Sequence, residues 1–528
     1  MISLLVVILI DLLFLFVSLY DMQMLQQNSY NERKKYFRFL KYDFLKNDNV
    51  YCFLIKLLFI ICLIIYAKFD LYLTILYSIV LLFLVYLAYT NYKKHNNKLP
   101  LKFTKRMIRI YLFDCILFIL LQILLSNISL TLFASILLAY ILLHTYITIV
   151  IVYLLTPIEK MVFNHYKNMA MEKLGRMNNI NIIGVTGSFG KTSTKMILDS
   201  ILKTKYKGFY TPASFNTPNG ILMTINGEKT IFNDYFISEM GAKNIGEIKE
   251  LCDLVHPKYG ILTSVGAAHL ESFKTLDNVC KTKFELIESL PEDGVAILNK
   301  DDEYQRNYKL KNKCAVIWVG IDRAADVKAE NIKISNKGTS FEIVFKKEKE
   351  TIKVSTILLG NKNVYNILQA AALAKYLGVD NKNIILGIKN IPPINHRLEI
   401  KKVNNMTIID DAFNSNPEGA KNALDVLNLM DGTKYIITPG MIEMGDKQEE
   451  LQRNFGMQMA SVCDKVYLVG PKQTKPIYDG LIKKKYNENN IKVFKSFKEA
   501  YNDVIKTSGN KKITVLIEND LPDSYMEE

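Results

Sequence analysis

The chain has 528 residues, enough for several domains, and its apolar residues are concentrated in the first 157 positions. The net charge of +15 does not indicate nucleic-acid binding, because many basic residues lie between apolar runs and no nucleic-acid-binding motif is recognisable. The seven cysteines form no C-x-x-C pair and no metal-ligand spacing, a pattern typical of reduced cytosolic or intramembrane thiols.

Residues 1–157 are predicted to form an α-helical membrane region. Apolar segments lie at 1–20, 52–67, 71–90, 107–125 and 130–155. Most of these five approach the ~20 residues that span a bilayer as a helix. Basic residues fill the loops after the first and third segments, whereas the other two loops are nearly uncharged. The positive-inside rule then predicts a multi-pass cell-membrane protein whose N-terminus is outside and whose remainder after residue 157 is cytoplasmic.

Four ionisable side chains fall within these apolar segments: Asp11, Lys56, Asp114 and His144. Charged groups at that depth usually face a bundle interior or a substrate path. Alternatively, Lys56 extends to the membrane surface and Asp114 lies at the interface. Residues 158–179 mix apolar and charged side chains and are predicted to form an amphipathic linker on the membrane or against the next domain.

A phosphate-binding pattern follows the linker. Residues 181–194 read Asn-Ile-Ile-Gly-Val-Thr-Gly-Ser-Phe-Gly-Lys-Thr-Ser-Thr, which predicts a strand, a glycine-rich turn and a helix start. Gly187 and Gly190 allow the backbone to approach a phosphate, Lys191 can reach the terminal phosphates, and the Thr192 hydroxyl can ligate Mg²⁺. The usual P-loop pattern G-x-x-x-x-G-K-S/T would place its first glycine at Val185, but the glycine is one residue earlier, at Gly184, so this is a P-loop variant. A turn without a ligand would explain the glycines but not the ordered Gly-Lys-Thr.

The remainder reads as α/β. Residues 180–391 alternate strands with helices, which predicts a mostly parallel sheet, and residues 392–528 form a second α/β domain with strands near 406–410, 434–438, 465–469 and 512–517. Predicted strands at 232–239 and 259–264 are followed by Glu239 and His269. Ligands bind at the carboxyl ends of such strands, so beside Thr192 both side chains are candidate Mg²⁺ ligands.

Nine short motifs, in order, give the chain a family resemblance. They lie at 184–192, 239–242, 266–271, 281–283, 299–302, 360–366, 396–399, 410–417 and 439–445. The set resembles the Mur ligase superfamily, most closely its MurF branch. The resemblance implies a P-loop central domain, a Rossmann-like C-terminal domain, and an ADP-forming acid–amino-acid ligase of peptidoglycan biosynthesis. Such an enzyme phosphorylates a carboxylate with ATP, and an amine then attacks the acyl phosphate.

The resemblance also implies roles for individual residues. It implies catalytic roles for Lys191, Lys283, His269, Arg397 and Asp411, with Lys283 carbamylated. It implies two Mg²⁺ ions, with Thr192, Glu239 and His269 as ligands. The residues implied to bind ATP are Thr186, Gly187, Ser188, Gly190, Lys191, Thr192, Ser193, Asn363, Asn366 and Arg397, with the two asparagines contacting adenine.

Two departures from the MurF pattern bear on the substrate. Membrane segments stand where MurF has a domain that grips a uridine nucleotide, and residues 516–523 read Leu-Ile-Glu-Asn-Asp-Leu-Pro-Asp where MurF has a Lys-Gly-Ser pattern. One hypothesis is therefore that a lipid-linked peptidoglycan precursor is joined, at the bilayer, to an amino acid or a dipeptide such as D-Ala-D-Ala. Two alternatives stay open: a membrane ligase like the poly-γ-glutamate synthases, and an ATP-binding transporter or scaffold.

Overall fold

The chain divides into two compact units, Met1–His165 and Tyr166–Glu528. The structure is a computed structural model, and it describes residues 2–27, 71–95, 100–177, 179–267, 270–413, 415–442, 444, 447–509 and 511–519. The predicted membrane segment 52–67, with Lys56, lies outside these residues, and so does His269.

The first unit is built from apolar helices. Its elements are α1 (Ile2–Gln27), α2 (Leu71–His95), α3 (Lys105–Leu124), α4 (Leu130–Leu142) and the beginning of α5 (His144–Gly175). Three described stretches are long and apolar enough to cross a membrane: Leu4–Gln26, Lys105–Leu124 and His144–Gly175. Helices α2 and α4 contribute shorter apolar stretches, Ile79–Thr90 and Leu132–Leu142. The count of five is therefore not confirmed, and the predicted segment 130–155 is divided at Leu143.

Helix α5 runs through the predicted boundary between the membrane region and the linker. Pro157 lies inside it, although proline removes one helical hydrogen bond. Apolar side chains are buried on both sides of the proline, for example Leu155 and Ala170. Packing of this kind stabilises helices in spite of a local defect. Residues 158–175 are thus a continuation of the preceding helix.

A polar cluster lies inside the first unit. The two ring nitrogens of His144 lie 2.7 Å from a carboxylate oxygen of Asp21 and 2.9 Å from one of Asp114. The Tyr140 hydroxyl donates to the other oxygen of Asp114 at 2.9 Å. His144 and Asp114 are fully buried. Both side chains therefore face the interior of the bundle, and Asp21 is a partner that the sequence did not single out.

The second unit begins with a nine-stranded sheet, ordered β2-β3-β1-β4-β5-β6-β7-β8-β9. Its strands are β1 (Asn181–Thr186), β2 (Gly208–Tyr210), β3 (Tyr235–Glu239), β4 (Tyr259–Leu262), β5 (Val295–Asn299), β6 (Ala315–Gly320), β7 (Val327–Ser335), β8 (Gly338–Phe345) and β9 (Glu350–Thr356). The pairs from β2 to β7 are parallel, while β8 and β9 pair antiparallel. The predicted, mostly parallel sheet is therefore present, and its β1, β3 and β4 carboxyl ends meet at one edge.

Helices cover this sheet. They are α6 (Lys191–Leu202), α7 (Pro218–Gly227), α8 (Glu247–Val255), α9 (Leu270–Phe273), α10 (Leu276–Glu288), α11 (Glu303–Asn307), α12 (Asn361–Tyr376) and α13 (Asn381–Lys389). Strands β3, β4 and β5 are buried along their whole length and are mostly apolar, as strands covered on both faces are. Ile183 of β1, Ile197 of α6 and Leu368 of α12 belong to the same core and are fully buried. This packing fixes the start of α6 against the end of β1.

The C-terminal domain has a six-stranded sheet, ordered β10-β11-β15-β12-β13-β14. Its strands are β10 (Glu399–Val403), β11 (Met406–Asp411), β12 (Thr433–Thr438), β13 (Lys465–Val469), β14 (Ile491–Phe494) and β15 (Ile513–Glu518), with helices α14 (Pro417–Asn428), α15 (Gln448–Met459), α16 (Lys475–Lys483) and α17 (Phe497–Ser508). Only β10 pairs antiparallel with its neighbour. Because β15 lies between β11 and β12, the carboxyl ends of these three strands are adjacent.

Candidate active site

The P-loop is a tight turn between β1 and α6 that needs its glycines. Gly187 has φ +148° and Gly190 has φ +83°, a region that glycine adopts without strain. A Cβ atom on Gly190 would lie 2.7 Å from Oδ1 of Asn366. The first-turn N–H groups of α6 have no partner within the helix and carry the positive end of its dipole. The turn can therefore bind an anion, as its sequence predicts.

Lys191 lies over this turn. Its ammonium group donates to the carbonyl oxygens of Gly187 at 2.6 Å and Ser188 at 3.2 Å. Burial lowers the pKa of Lys191 to about 8; the charge of Glu239 opposes this shift and that of Arg397 adds to it. Side chains from three separate elements therefore interact electrostatically at the P-loop.

Glu239, at the end of β3, forms a buried ion pair that sequence reasoning missed. One carboxylate oxygen lies 2.8 Å from Nζ of Lys195, and the other accepts a hydrogen bond from the Asn216 amide at 3.1 Å. Lys195 also donates to the carbonyl oxygen of Ala213 at 2.6 Å. The one sequence signal is the spacing: Lys195 follows Lys191 by four residues and so lies one turn further along the same helix face.

Two predicted ATP-binding hydroxyl groups hold the P-loop in place. The Thr186 hydroxyl donates to the carbonyl oxygen of Met240 at 2.8 Å. The Ser188 hydroxyl donates to the carbonyl oxygen of Gly266 at 3.1 Å and accepts from its N–H group at 3.0 Å. These bonds join the loop to the segments that follow β3 and β4. The ATP-binding role of both side chains stays a prediction.

Lys283 of α10 is buried, with 2% of its surface exposed. Its Nζ atom lies 5.8 Å from the ring centroid of Phe273. Burial, together with the charge of Lys191, lowers the pKa of Lys283 to about 7, against the opposing effect of Glu247 and Glu285. Near neutral pH, a large fraction of this side chain is therefore a neutral amine, the form that acts as a nucleophile.

Arg397 and Asp411 come from the C-terminal domain. The Arg397 guanidinium carbon lies 4.3 Å from the ring centroid of Phe413. The backbone N–H of Leu398 donates to a carboxylate oxygen of Asp411 at 3.2 Å. Burial raises the pKa of Asp411 to about 6, while the charge of Arg397 counteracts that rise. Since the charge of Arg397 also acts on Lys191, the structure brings Arg397 within electrostatic range of the P-loop lysine, with Asp411 on the other side of Arg397.

The two predicted adenine-binding asparagines lie at the start of α12. The Asn363 amide donates to the carbonyl oxygen of Leu359 at 2.8 Å, and the Asn366 amide donates to Oδ1 of Asn363 at 3.3 Å. Both side chains are buried, and Asn366 packs against Gly190. The structure thus places them against the last glycine of the P-loop, whereas their contact with adenine stays a prediction.

Oxygen donors suited to Mg²⁺ lie at the P-loop. Thr192 and Ser193 follow Lys191 in the first turn of α6, and the Glu239 carboxylate ends the neighbouring strand. Hydroxyl and carboxylate oxygens are the ligands that Mg²⁺ takes. The hydrogen bonds from Lys195 and Asn216 use one lone pair on each Glu239 oxygen and leave others, so this donor set fits the ion.

A second acidic group has the geometry of a metal site but already holds a cation. Ligand atoms of His396, Glu399 and Asp410 lie within 4.8 Å of one another. The ammonium group of Lys401 lies 2.6 Å from Asp410 and 3.0 Å from Glu399. Lysine therefore supplies the positive charge at this position.

Comparison with known proteins gives consistent matches. Residues 185–374 match the Mur ligase middle domain, and residues 396–518 match the Mur ligase, glutamate ligase domain. The UDP-N-acetylmuramoyl-tripeptide–D-alanyl-D-alanine ligase of Escherichia coli K12 is 32% identical over 293 residues, covering 55% of this chain and 64% of the relative. The same ligase of Buchnera aphidicola subsp. Acyrthosiphon pisum is 30% identical over 354 residues, covering 65% and 77%. The chain thus spans just under two thirds of the E. coli relative.

Solved structures show the same fold. MurF of Thermotoga maritima in complex with ADP has a TM-score of 0.59 and 26% identity, covering 68% of this chain and 80% of that one. MurF of Acinetobacter baumannii has a TM-score of 0.62 and 24% identity, covering 68% and 77%. The similarity extends across the central and C-terminal α/β domains.

Proposed function

The chain belongs to the Mur ligase family, and from this membership we propose that it is an ATP-dependent ligase that joins a peptidoglycan-precursor carboxylate to an amine. The names of the relatives favour a dipeptide such as D-Ala-D-Ala as the amine. The observation that carries the proposal is the presence of two cationic side chains, Lys191 and Arg397, at one P-loop, with the buried Lys283 close enough to Lys191 to feel its charge. Like charges repel at short range, so this arrangement suits a ligand with several negative charges, as a nucleoside triphosphate has.

The first chemical step is phosphoryl transfer to the substrate. A carboxylate oxygen attacks the γ-phosphorus of ATP, the bond from that phosphorus to the bridging oxygen breaks, and ADP leaves. Lys191 and the P-loop N–H groups hold the phosphates, and Arg397 offsets the charge on the transferred group. Asp411 keeps Arg397 oriented. The product is an acyl phosphate.

The second step forms the amide. The amine nitrogen attacks the acyl carbon, the carbon–oxygen bond to phosphate breaks, and inorganic phosphate and one proton are released. Closure of the C-terminal domain would exclude water, which otherwise hydrolyses the acyl phosphate.

Magnesium is part of the proposal. Thr192 and Glu239 would hold the ion, and the expected second ion would involve His269. When bound, magnesium neutralises phosphate charge and orients the phosphate oxygens.

Carbamylation of Lys283 fits its environment. The neutral amine attacks carbon dioxide, a nitrogen–carbon bond forms, and the amine proton leaves to solvent. The product carries a negative charge, so the modification removes the repulsion between Lys283 and Lys191. It also provides oxygen atoms that can support a metal ion.

The apolar helices suggest where the acceptor is. Three described helices have the length and composition to cross a membrane, so we propose an integral membrane protein with its N-terminus outside and its ligase domains in the cytoplasm. A lipid-linked precursor would then reach the ligase from the membrane surface.

The test uses the full chain in native membranes with ATP and Mg²⁺. UDP-linked and lipid-linked precursors are each combined with D-Ala-D-Ala or single amino acids, and ADP and amide products are measured, the latter by mass. We expect an amide for at least one pair and faster turnover of the lipid-linked acceptor. Lys191→Ala should reduce turnover by about 100-fold or more, while the exposed Lys203→Ala control should not. ATP hydrolysis without an amide from any amine would favour the transporter or scaffold alternative.

A further inference from the structure

A buried carboxyl group lies at the centre of the C-terminal sheet edge. Glu518 is the last residue of β15 and has 1% of its surface exposed. It lies in register with Asp411 on the neighbouring strand β11. The Thr438 hydroxyl donates to one of its oxygens at 3.0 Å, and the Ser415 hydroxyl is hydrogen-bonded to the other.

Glu518 and the next residue join two loops at this edge. Ser415 belongs to the loop after β11, which begins directly after Asp411 and carries Phe413, and Thr438 is the last residue of β12. Asn519 repeats the connection, since its side-chain amide donates to the carbonyl oxygen of Gly440 at 2.6 Å. Its backbone N–H donates to the carbonyl oxygen of Asp411 at 3.3 Å. All these bonds meet at the carboxyl edge of the sheet, where α/β proteins bind ligands.

The surroundings of Glu518 favour its neutral form. Among the described residues, no ammonium, guanidinium or imidazole group contacts its carboxyl group, and burying a carboxylate without a cation is costly. Asp411 is the charged group that faces it, and two adjacent carboxylates oppose each other's ionisation. Burial raises the pKa of Glu518 to about 8, and the Asp411 charge adds to the rise while the two hydroxyl bonds counteract it.

We propose that Glu518 is a positioning residue of the ligase: it ties the loop after β11 to the end of β12 and so holds Asp411 and Phe413, the two neighbours of Arg397. It does this as a protonated carboxylic acid. Asp411 keeps the negative charge of the pair and remains the electrostatic partner of Arg397. Ionisation of Glu518 would place a second negative charge beside Asp411 and so disturb the electrostatic pairing of Asp411 with Arg397. The inference rests on the proposed ligase function.

The experiment compares full-length wild type with Glu518→Gln and Glu518→Ala. Glutamine has the shape of the protonated acid but does not ionise, so Glu518→Gln should keep the wild-type rate at pH 7 within about threefold. Wild-type ligation should decline more steeply than ligation by Glu518→Gln as the pH rises through about 8; the part of the decline that both proteins share belongs to Lys191, whose pKa is also about 8. Glu518→Ala should reduce kcat by about tenfold or more while KM for ATP stays within about threefold. The exposed Glu488→Gln is the matched control.

Three ligation results would overturn the proposal: loss of activity in Glu518→Gln at pH 7, an alkaline decline as steep in Glu518→Gln as in wild type, or full activity of Glu518→Ala. Calorimetric unfolding tests the protonation without ligation. An acid whose pKa is higher in the folded than in the unfolded protein lowers the free energy of unfolding as the pH rises between the two values. The thermal unfolding midpoint of wild type should therefore fall relative to that of Glu518→Gln between about pH 5 and pH 8. If the unfolding midpoints of wild type and Glu518→Gln changed with pH in the same way, the proposed protonation of Glu518 would be wrong. Absence of product from wild type at every pH would instead count against the ligase function alone.

Discussion

Replacing Lys195 by methionine should destabilise the domain built on the nine-stranded sheet. Methionine fills a similar volume but removes the charge that faces Glu239 across 2.8 Å. Both side chains are 1% exposed, so Glu239 would be left as a buried carboxylate without its cation. Breaking a buried ion pair from one side costs about 3–5 kcal/mol, because the remaining charge is not compensated. The carbonyl oxygen of Ala213 would also lose its donor, at a cost of about 1 kcal/mol.

This free-energy loss should lower the midpoint of thermal unfolding by roughly 10–20 °C, since 1 kcal/mol corresponds to a few degrees in a domain of this size. The chain has one tryptophan, and it lies at position 318 in β6 of the same sheet. Its fluorescence, recorded on the full-length protein in detergent, reports unfolding of this domain without interference from another tryptophan.

Two controls separate charge from packing. Lys203→Met changes an exposed lysine just after the same helix and should leave the midpoint unchanged. The double variant Lys195→Met with Glu239→Gln removes both charges and should recover most of the lost stability. A Lys195→Met midpoint within about 3 °C of wild type would refute the reasoning, since it corresponds to about 1 kcal/mol or less. A double variant as unstable as the single one would assign the loss to packing.

Two further predictions concern the nucleotide site. Ligase activity should fall as the pH drops through about 7, because protonated Lys283 cannot react with carbon dioxide. Labelling with ¹³C-bicarbonate should give a carbamate signal in wild type that Lys283→Arg lacks. A ligation rate that does not change at low pH would contradict this prediction. Gly190→Ala should weaken ATP binding by about tenfold or more, because of its positive φ and the close approach of Asn366, as measured by equilibrium nucleotide binding. Gly227→Ala, which meets nothing within 4 Å, should bind ATP like wild type, and equal affinities of the two variants would contradict the steric argument.

Local patterns were sufficient for the strand–turn–helix at the P-loop, for β3 and β4, and for four strands of the C-terminal sheet, whereas the other strands were not predicted individually. The strand predicted at 434–438 is observed as Thr433–Thr438, and the one at 512–517 as Ile513–Glu518. Each has a continuous apolar run, the pattern of a strand buried on both faces. The order of the strands could not be predicted from the sequence, because the position of β15 between β11 and β12 depends on pairing across about 100 residues of chain.

The apolar first unit, predicted to be a membrane region, shows the limit of hydropathy. One apolar run at 130–155 predicts a single helix, yet two helices meet at Leu143. Hydropathy averages over a window and does not register a local change of backbone direction. Similarly, Asp21 could not be paired with His144 from sequence, since the two residues are 123 positions apart.

The protonation states of the charged residues in the candidate site, unlike the helices and strands, are not determined by local sequence patterns. Motif order was enough to select Lys191, Lys283 and Asp411, but their protonation depends on burial and on neighbours from other elements. Lys283 has a pKa near neutrality because α10 buries it beside the P-loop, and Asp411 is raised by burial in the C-terminal domain. A residue four positions from Lys191 in the sequence, Lys195, instead compensates Glu239. Two lysines on one helix face thus take opposite roles: Lys191 lies over the anion-binding turn, while Lys195 is committed to a buried carboxylate. Only the fold, which supplies Glu239 to one of them, distinguishes the two.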